Sequence, residues 1–287
     1  MKRILTFILT LTLALSFCVN SFAAATTATA SETQTGTSEA QTDTSKTQAG
    51  TSEAQTDTSK VQAGTSEAQT DTSKVQAGAS YGISNLSGAP DIVAESAVVM
   101  DANTGTILYG KEADTKRYPA SITKVMTALL AVENCKMSDV ITYSNAAVNG
   151  IEAGSSTAGI NVGAKLTVED SLYALMLVSA NEAAAAIAEH ISGSTTEFAK
   201  LMTKRAKELG CTNTQFKNPH GLPNEEHYTT AHDMGLILKE AMKHEEFRKI
   251  SGTISYTLKK SDTLKDTLEL WNHAKILREN SDYYYKY

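Results

Sequence analysis

Cysteine is scarce in this chain, which has three cysteines among 287 residues. Cys18 lies in the N-terminal segment, so only Cys135 and Cys211 remain for the rest of the chain. Two cysteines are too few for the disulfide framework that stabilises many small secreted domains. We expect two buried thiols with neither a zinc cluster nor an activating histidine near them, and a single bridge between Cys135 and Cys211 is the alternative.

Clustered positive charge is also missing from the sequence. The formal net charge is −6, and no stripe of lysine and arginine appears anywhere in the chain. Proteins that bind nucleic acid carry such a stripe or patch because it neutralises phosphate groups. The charge pattern therefore excludes nucleic acid as an expected partner.

Long apolar runs are absent except at residues 4–17, and that run is too short to span a membrane comfortably. The basic pair Lys2-Arg3 precedes it, and small residues follow at 21–25. This order is typical of an export signal. Residues 1–24 are therefore predicted to be a signal peptide. A lipid anchor at Cys18 is the alternative, but the preceding phenylalanine is too large for that signal.

Residues 25–88 are dominated by Thr, Ser, Gln, Ala and Gly and contain few branched aliphatic side chains. Such a segment cannot bury enough apolar surface to offset the entropy lost on ordering. A 14-residue repeat occurs at 36–49, 50–63 and 64–77, without the periodic apolar face that a solenoid needs. We predict a disordered Ser/Thr-rich linker that acts as an inert spacer, with sugar attachment as an alternative.

Residues 89–287 have the size of one domain and the pattern of an α/β (α+β) fold. Predicted strands occupy 97–101 and 106–109, joined by a turn whose Asn103 and Gly105 tolerate positive φ. Further strands are predicted at 140–143, 254–258 and 263–270. Five helices are predicted, at 121–132, from the capping box at 167–170, at 181–190, from 194 to 210 and from 230. We expect a helical cluster packed on one antiparallel sheet, which the chain enters at its start and revisits at its end.

Ser121 and Lys124 are the candidate catalytic pair. Residues three apart lie on one face of a helix, so the amine of Lys124 would lie one turn from the hydroxyl of Ser121. Burial among apolar neighbours would favour the neutral amine, which can act as a general base toward the hydroxyl. The start of a helix also offers free N–H groups and a positive dipole end to a developing oxyanion.

Ser179 and Asn181 are the second candidate element. The Ser179 hydroxyl would relay a proton between Lys124 and a leaving amine, and the Asn181 amide would hold a substrate carbonyl. Taken alone, the motifs Ser-x-x-Lys and Ser-x-Asn are weak signals in a chain this rich in serine. In the alternative interpretation Ser121 is a helix cap, Lys124 is solvated, and Ser179 only precedes another helix.

Three longer segments surround these residues and resemble, in order and in detail, one known family. They are Tyr118–Leu129, Leu177–Ala183 and Phe216–Leu222. Together with Ala97–Gly105 and Thr229–Met234, they are similar to the D-alanyl-D-alanine carboxypeptidases, the low-molecular-mass penicillin-binding proteins of bacteria. The resemblance covers the chain from about residue 90 to its end.

The resemblance implies a serine DD-peptidase (β-lactamase-like) fold and removal of the terminal D-alanine from peptidoglycan stem pentapeptides at the bacterial cell wall. It implies that Ser121 is acylated, that Lys124 is the base, and that Ser179 and Asn181 form the second element. It also implies covalent inhibition by β-lactams and no metal or organic cofactor. The short apolar run at 4–17 separately predicts no transmembrane span in the mature chain. His220 falls in a family segment and is expected to be structural, since no aspartate spacing marks a Ser-His-Asp triad.

The sequence departs from the family pattern at its carboxyl end. Ser281–Tyr287 resembles the approach to the family's Lys-Thr-Gly strand, and the chain ends before that strand. In the family this strand binds the substrate carboxylate and contributes an oxyanion N–H. We expect a fragment of a longer reading frame, with the C-terminal strands missing. A serine β-lactamase and a non-catalytic wall-binding protein remain as alternative functions, and the oligomeric state is left open.

Overall fold

A computed structural model describes residues 92–277 and 279–282 of the chain. The predicted signal peptide at 1–24 and the predicted repeat linker at 25–88 lie outside the described residues. Those two assignments and their boundaries therefore stay predictions. Within the described ranges, no helix is both long and apolar enough to cross a membrane.

Six strands in residues 92–277 form three antiparallel pairs. The pairs are β1 (Ala97–Met100) with β2 (Ile107–Lys111), β3 (Val140–Thr142) with β4 (Lys165–Thr167), and β5 (Ser255–Leu258) with β6 (Leu268–Trp271). None of the described strands joins two of these pairs. The expectation of one sheet shared by the first and last strands is therefore wrong for this part of the chain.

Seven α-helices accompany the strands in the part of the chain that the structure describes. They are α1 (Lys124–Asn134), α2 (Asn145–Asn149), α3 (Val168–Leu177), α4 (Asn181–Ser192), α5 (Thr195–Glu208), α6 (Ala231–Ala241) and α7 (Glu245–Ser251), with short 3₁₀ turns at Ala120–Thr123 and Lys275–Leu277. The five predicted helices correspond to α1, α3, α4, α5 and α6. The sequence pattern did not indicate α2 and α7 because helices of five and seven residues are too short to show a clear apolar period.

The helix starts follow the capping chemistry that the sequence predicts. The Thr167 hydroxyl accepts a hydrogen bond from the Asp170 backbone N–H at 3.0 Å, and the Asp170 carboxylate accepts one from the Thr167 N–H at 3.3 Å. This pair is the predicted capping box at the start of α3. Ser194 and Thr230 cap α5 and α6 by accepting from the third residue of each helix.

The hairpin of β5 and β6 packs on α3 and not beside β1 and β2, for reasons visible in its side chains. The Tyr256 ring stacks on the ring of Tyr173, with centroids 3.7 Å apart. Its hydroxyl donates to Asp170 Oδ1 at 2.8 Å, and Leu258 and Leu270 are buried on the same side. The apolar face of the hairpin is therefore covered by α3.

Helices α1 and α4 form the centre of the core. Met126, Leu129 and Leu130 of α1 are fully buried, and so are the four consecutive alanines from Ala183 to Ala186 of α4. The small side chains allow α4 to lie close to α1, α3 and α5, all of which it contacts. Because both central helices begin at the same end of the core, the residues at their starts lie close together.

Candidate active site

Ser121 lies in the short 3₁₀ turn that precedes α1, and α1 itself begins at Lys124. The sequence pattern predicts a helix start at Ser121, so the structure moves the start by three residues. Pro119 opens the turn and Ala120 follows with a φ of 48°, a conformation that costs an alanine free energy. The chain thus makes a strained, compact bend directly before the candidate nucleophile.

Three of the predicted site residues meet at the Ser121 hydroxyl. The Lys124 amine donates to Ser121 Oγ at 3.3 Å, and the Ser179 hydroxyl donates to the same oxygen at 3.1 Å. Ser121 Oγ therefore lies between an amine one helical turn away and a hydroxyl that is 58 residues away in sequence. This is the arrangement that a serine nucleophile with a lysine base requires.

Lys124 is buried, with 3% of the residue exposed. Burial disfavours the ammonium form and lowers the pKa of Lys124 to about 7, while the nearby Glu182 carboxylate acts in the opposite direction. The amine also donates to the carbonyl oxygen of His220 at 2.8 Å, which fixes its position. A large fraction of Lys124 is therefore neutral near pH 7 and able to accept a proton.

The segment Asn218–Leu222 packs against the nucleophile turn. The Thr127 hydroxyl donates to the Pro219 carbonyl oxygen at 2.6 Å, and the backbone N–H of Gly221 donates to the Asn218 side chain at 2.7 Å. Gly221 has a φ of 87° and lies so near Ala120 that no side chain fits between the two backbones. This segment thus holds the turn and Lys124 from one side.

His220 acts through its backbone in this site. Its ring Nδ1 accepts a hydrogen bond from the Leu222 N–H at 3.2 Å, and its carbonyl accepts from Lys124. Burial, together with the positive charge of Lys124, lowers the pKa of His220 to about 4. The ring is therefore neutral near pH 7, in keeping with the structural role expected for it.

His227 is a supporting residue that the sequence patterns did not reveal. It is buried, and its Nε2 lies 2.8 Å from the hydroxyl oxygen of Thr123, in the turn that carries Ser121. Since its Nδ1 accepts from the Lys217 N–H at 3.1 Å, Nε2 carries the hydrogen and donates to Thr123. The two residues are 104 positions apart, so no local pattern could have paired them.

Ser179 and Asn181 stand at the junction between α3 and α4. Ser179 has a φ of 59°, rare for a residue with a side chain, and this conformation directs its hydroxyl to Ser121. Asn181 is the first residue of α4, and its backbone N–H donates to the Ser156 carbonyl at 2.9 Å. Among the described residues, its buried Oδ1 atom has no hydrogen-bond partner.

Glu182 is a second residue that no sequence motif singled out. It follows Asn181, is buried, and receives several hydrogen bonds from residues 157–160 through one carboxylate oxygen. The Ser-x-Asn motif ends one residue before it. The segment it contacts shows no recognisable sequence pattern, so only the folded chain reveals the pairing.

The structure corrects one expectation about the cysteines. Cys135 and Cys211 are both free thiols, so the alternative of a bridge between them is not formed. No histidine was expected near either cysteine, yet His190 and Asp139 place ligand atoms within 4.8 Å of the Cys135 sulfur and of each other. Burial and Asp139 raise the pKa of the Cys135 thiol. The contact is tertiary, since His190 comes from the last turn of α4.

A second group with side chains of metal-ligand type contains Glu133, Glu240 and His244. Glu133 accepts three hydrogen bonds from Arg205, at 2.7, 3.0 and 3.2 Å, and Glu240 pairs with Lys243. Both carboxylates are thus neutralised by cations of the chain itself.

Comparison with known proteins gives a consistent result. The sequence profile of the D-alanyl-D-alanine carboxypeptidase family matches residues 84–284. The chain is similar to the D-alanyl-D-alanine carboxypeptidase DacF of Bacillus subtilis, with 42% identity over 177 residues, covering 60% of this chain and 45% of DacF. DacA of Escherichia coli is 35% identical over 160 residues, covering 53% of this chain and 40% of DacA.

The fold is also similar to solved structures. The crystal structure of the Streptomyces K15 DD-transpeptidase matches with a TM-score of 0.61 and 34% identity, covering 67% of this chain and 78% of that one. The DacD carboxypeptidase from Francisella tularensis matches with a TM-score of 0.57 and 34% identity, covering 65% of this chain and 45% of that one. The chain thus spans less than half the length of several proteins that it matches.

Proposed function

Because the chain belongs to the D-alanyl-D-alanine carboxypeptidase family, we propose that it is a serine-type D-Ala-D-Ala carboxypeptidase of the bacterial cell wall. The proposed substrate is the peptidoglycan stem pentapeptide, whose terminal D-alanine is removed through an acyl-enzyme on Ser121. β-Lactams are the proposed covalent inhibitors. Export by residues 1–24 and tethering by residues 25–88 are part of the same proposal.

One observation carries the proposal: the Ser121 hydroxyl receives hydrogen bonds from both the buried Lys124 amine and the Ser179 hydroxyl. A serine used only as a helix cap would bond to a backbone N–H of its own helix. Among the described residues, the partners of Ser121 Oγ are the side chains of Lys124 and Ser179, and no backbone N–H of α1 donates to it. The pKa of Lys124 is also lowered to about 7, and strongly shifted lysine pKa values are typical of functional sites, where the neutral amine is needed.

In the acylation step, neutral Lys124 takes the proton of Ser121 as Oγ attacks the carbonyl carbon of the penultimate D-alanine. The N–H groups at the start of the turn and of α1 face the developing negative charge. The carbon–nitrogen bond to the terminal D-alanine then breaks. Its nitrogen receives the proton from Lys124 through the Ser179 hydroxyl, and an ester at Ser121 remains.

In the hydrolysis step, Lys124 takes a proton from a water molecule, whose oxygen attacks the ester carbon. The bond to Ser121 Oγ breaks, and the proton returns from Lys124 to that oxygen. Asn181 binds the substrate backbone through its side-chain amide in both steps. A carbonyl oxygen of the substrate would accept this hydrogen bond from Nδ2 of Asn181.

The acceptor of the acyl group distinguishes hydrolysis from transfer. The similar protein of Streptomyces K15 is named a DD-transpeptidase, and an amine acceptor in place of water would give that reaction. Adding an amino acid acceptor to an assay with a peptide ending in D-Ala-D-Ala separates the two. Free tetrapeptide is the expected product, and a transfer product would assign the amine reaction instead.

The proposal is tested by incubating the purified chain with penicillin and measuring its intact mass and peptide map. A mass increase of one drug molecule at Ser121 is expected, together with its loss in Ser121→Ala. Ser155→Ala, at a serine of the loop between α2 and β4, is the matched control and should label like the unaltered chain. A folded chain that does not label would overturn the proposal in favour of the non-catalytic wall-binding alternative, and rapid turnover of the adduct would favour a β-lactamase.

A further inference from the structure

Glu182 has no place in the reaction steps above, yet it lies directly after Asn181 at the start of α4. We propose that Glu182 is a positioning residue that holds Ser156–Ile160 against the start of α4 and thereby orients Asn181 and the wall of the substrate cleft beside it. This inference rests on the proposed function for its effect on catalysis. The contact of Glu182 with Ser156–Ile160 is argued from hydrogen-bond geometry and does not depend on the proposed function.

The contacts of one carboxylate oxygen carry the proposal. Glu182 Oε1 accepts from the Thr157 hydroxyl at 2.6 Å, and from the backbone N–H groups of Ala158 at 2.7 Å, Gly159 at 3.1 Å and Ile160 at 3.3 Å. Three consecutive N–H groups that converge on one anion form a concave binding site of the kind that backbone nests make. Such bonds to an ionised acceptor are stronger than those between neutral groups.

The same segment is attached to the residue before Glu182. The Asn181 N–H donates to the Ser156 carbonyl, so Asn181 and Glu182 hold the two ends of one short loop. Residues 156–159 belong to no helix or strand, and Ile160 is the one residue of the loop that is buried in the core. The loop therefore depends on these contacts for its conformation, and a shift of the loop changes the surroundings of Asn181.

Hydrogen bonding alone does not require a charge at this position. A glutamine oxygen could accept the same four bonds, and burying a carboxylate costs free energy that burying an amide does not. Glu182 is 2% exposed, and among the described residues its second oxygen has no hydrogen-bond partner. A buried negative charge at Glu182 therefore costs free energy that hydrogen bonding alone does not require. The cation that this charge stabilises is the protonated amine of Lys124.

Among the described residues, the Glu182 carboxylate is the charged group that affects the titration of Lys124. Glu182 on α4 favours the protonated amine, whereas His220, in the segment Asn218–Leu222, is neutral near pH 7 because its pKa is about 4. The hydroxyl groups of Ser121 and Ser179 carry no charge in this range. A change in the pH at which Lys124 loses its proton can thus be assigned to Glu182.

Two substitutions separate position from charge. Glu182→Gln keeps an acceptor for the four bonds and removes the charge, and Glu182→Ala removes both. Hydrogen exchange is measured at the amides of residues 158–160, and the rate of penicillin acylation is measured from pH 5 to 9 in the full chain. Glu152→Gln makes the same chemical change at an exposed glutamate of the same loop and is the matched control.

In Glu182→Gln we expect amide exchange at 158–160 to be faster than in the unaltered chain but slower than in Glu182→Ala, because the bonds persist to a neutral and therefore weaker acceptor. Without the negative charge, the pKa of Lys124 falls, so the rise of the acylation rate with pH should move to lower pH. In Glu182→Ala we expect much faster exchange at these amides. Its maximum acylation rate should fall by about a hundredfold, the loss typical of a misplaced site. Glu152→Gln should change neither quantity.

The outcomes distinguish this inference from the proposed function. If the unaltered chain is not acylated, the proposed function fails, and hydrogen exchange still decides whether Glu182 holds the loop. Unchanged exchange at 158–160 in Glu182→Ala would overturn the inference in either case. If Glu182→Ala does not fold, the pH dependence of the acylation rate in Glu182→Gln decides. A rise at the same pH as in the unaltered chain overturns the role of the charge, because a glutamate with only a structural role would not affect that pH.

Discussion

A Cβ atom placed on Gly221 would lie 1.8 Å from the carbonyl oxygen of Ala120. The two residues are about a hundred positions apart, and both have positive φ angles, 87° for Gly221 and 48° for Ala120. Real Cβ atoms never approach an oxygen so closely, so position 221 accepts only glycine unless the backbone moves. The nucleophile turn and the segment Asn218–Leu222 are thus fitted to each other backbone against backbone.

Gly221→Ala should therefore displace the turn that carries Ser121. We expect the acylation rate to fall by about a hundredfold, because a shift of about 1 Å at the nucleophile has effects of that size. Stability should fall as well, by about 2 kcal/mol or more, since both a clash and an unfavourable φ are introduced. Stopped-flow labelling with a fluorescent penicillin and urea unfolding measure the two effects.

Gly163→Ala is the control for this prediction. Gly163 has a φ of 83°, close to that of Gly221, but nothing lies within 4 Å of the position its Cβ would take. This variant should lose only the conformational term, about 1 kcal/mol, and keep its acylation rate. Equal losses of acylation in both variants would show that the close approach to Ala120 is not what positions the nucleophile.

The sequence predicts the features that depend on residues close together in the chain. The spacing of Ser121 and Lys124 and the capping residues Thr167 and Thr230 each depend on a few neighbouring residues, and the structure brings them where local rules place them. The meeting of Ser179 with Ser121 is different in kind. Local chemistry gives no reason for it, and the expectation came from family resemblance.

What the sequence could not predict depends on contacts between distant segments. The hydrogen bond of His227 to Thr123 and the contact of Glu182 with 157–160 join loops that have no periodic pattern. The prediction of one shared sheet was wrong for a related reason. The sequence predicts that β5 and β6 are strands. Which helix packs on their face and which strand pairs with their edge depend on tertiary packing.

Lys124→Met should make the stability less dependent on pH in the alkaline range. The pKa of Lys124 is about 7 in the folded chain and 10.5 for an ordinary lysine. Between these values the unfolded chain binds more protons than the folded one, so the stability of the unaltered chain rises with pH. The slope approaches about 1.4 kcal/mol per pH unit. Below pH 7 the full cost of burying the charged amine remains.

The free energy that Lys124→Met gains over the unaltered chain should therefore be largest at pH 7 and shrink toward pH 10. Urea unfolding at half-unit intervals measures it, and Lys200→Met, at an exposed lysine of α5, is the control. A difference between Lys124→Met and the unaltered chain that does not vary with pH would contradict the lowered pKa. It would also remove the main reason for treating Lys124 as a base.

Ser179 should show an inverted order of stability between glycine and alanine. At most positions alanine is the more stable of the two, because glycine loses more entropy on folding. With φ at 59°, the alanine has a conformational cost that glycine avoids. We expect Ser179→Gly to be more stable than Ser179→Ala by about 1 kcal/mol, although both lose the hydroxyl that bonds to Ser121.

Both Ser179 variants should be acylated about a hundredfold more slowly than the unaltered chain. A loss of this size is typical when a proton-transfer group is removed. Thermal unfolding and penicillin labelling on the same samples test the two statements together. If the glycine variant kept the full rate, the hydroxyl would have no part in proton transfer. If alanine were the more stable variant, the positive φ of Ser179 would not be a source of strain.

His227 should make the chain sensitive to mild acid. Burial lowers the pKa of its ring to about 4, against 6.5 for an ordinary histidine. Between these values the unfolded chain holds a proton that the folded chain does not, so stability falls as pH drops from 6.5 to 4. Protonation would also end the acceptance of the Lys217 N–H by Nδ1. His227→Gln removes this titration, and its loss of stability over that range should be shallower by up to about 1 kcal/mol per pH unit.

Urea unfolding at pH 4.5, 5.5 and 6.5 measures the change, with the exposed His190→Gln as the control. Because His220 has a similarly lowered pKa, the dependence should be reduced and not abolished. The acylation rate at pH 7 separates stability from site geometry. It should fall in His227→Gln by about tenfold or less, since the ring supports Thr123 and does not touch Ser121. An unchanged acid slope would mean that the ring of His227 has the same pKa in the folded and unfolded chain, which would contradict the lowered pKa.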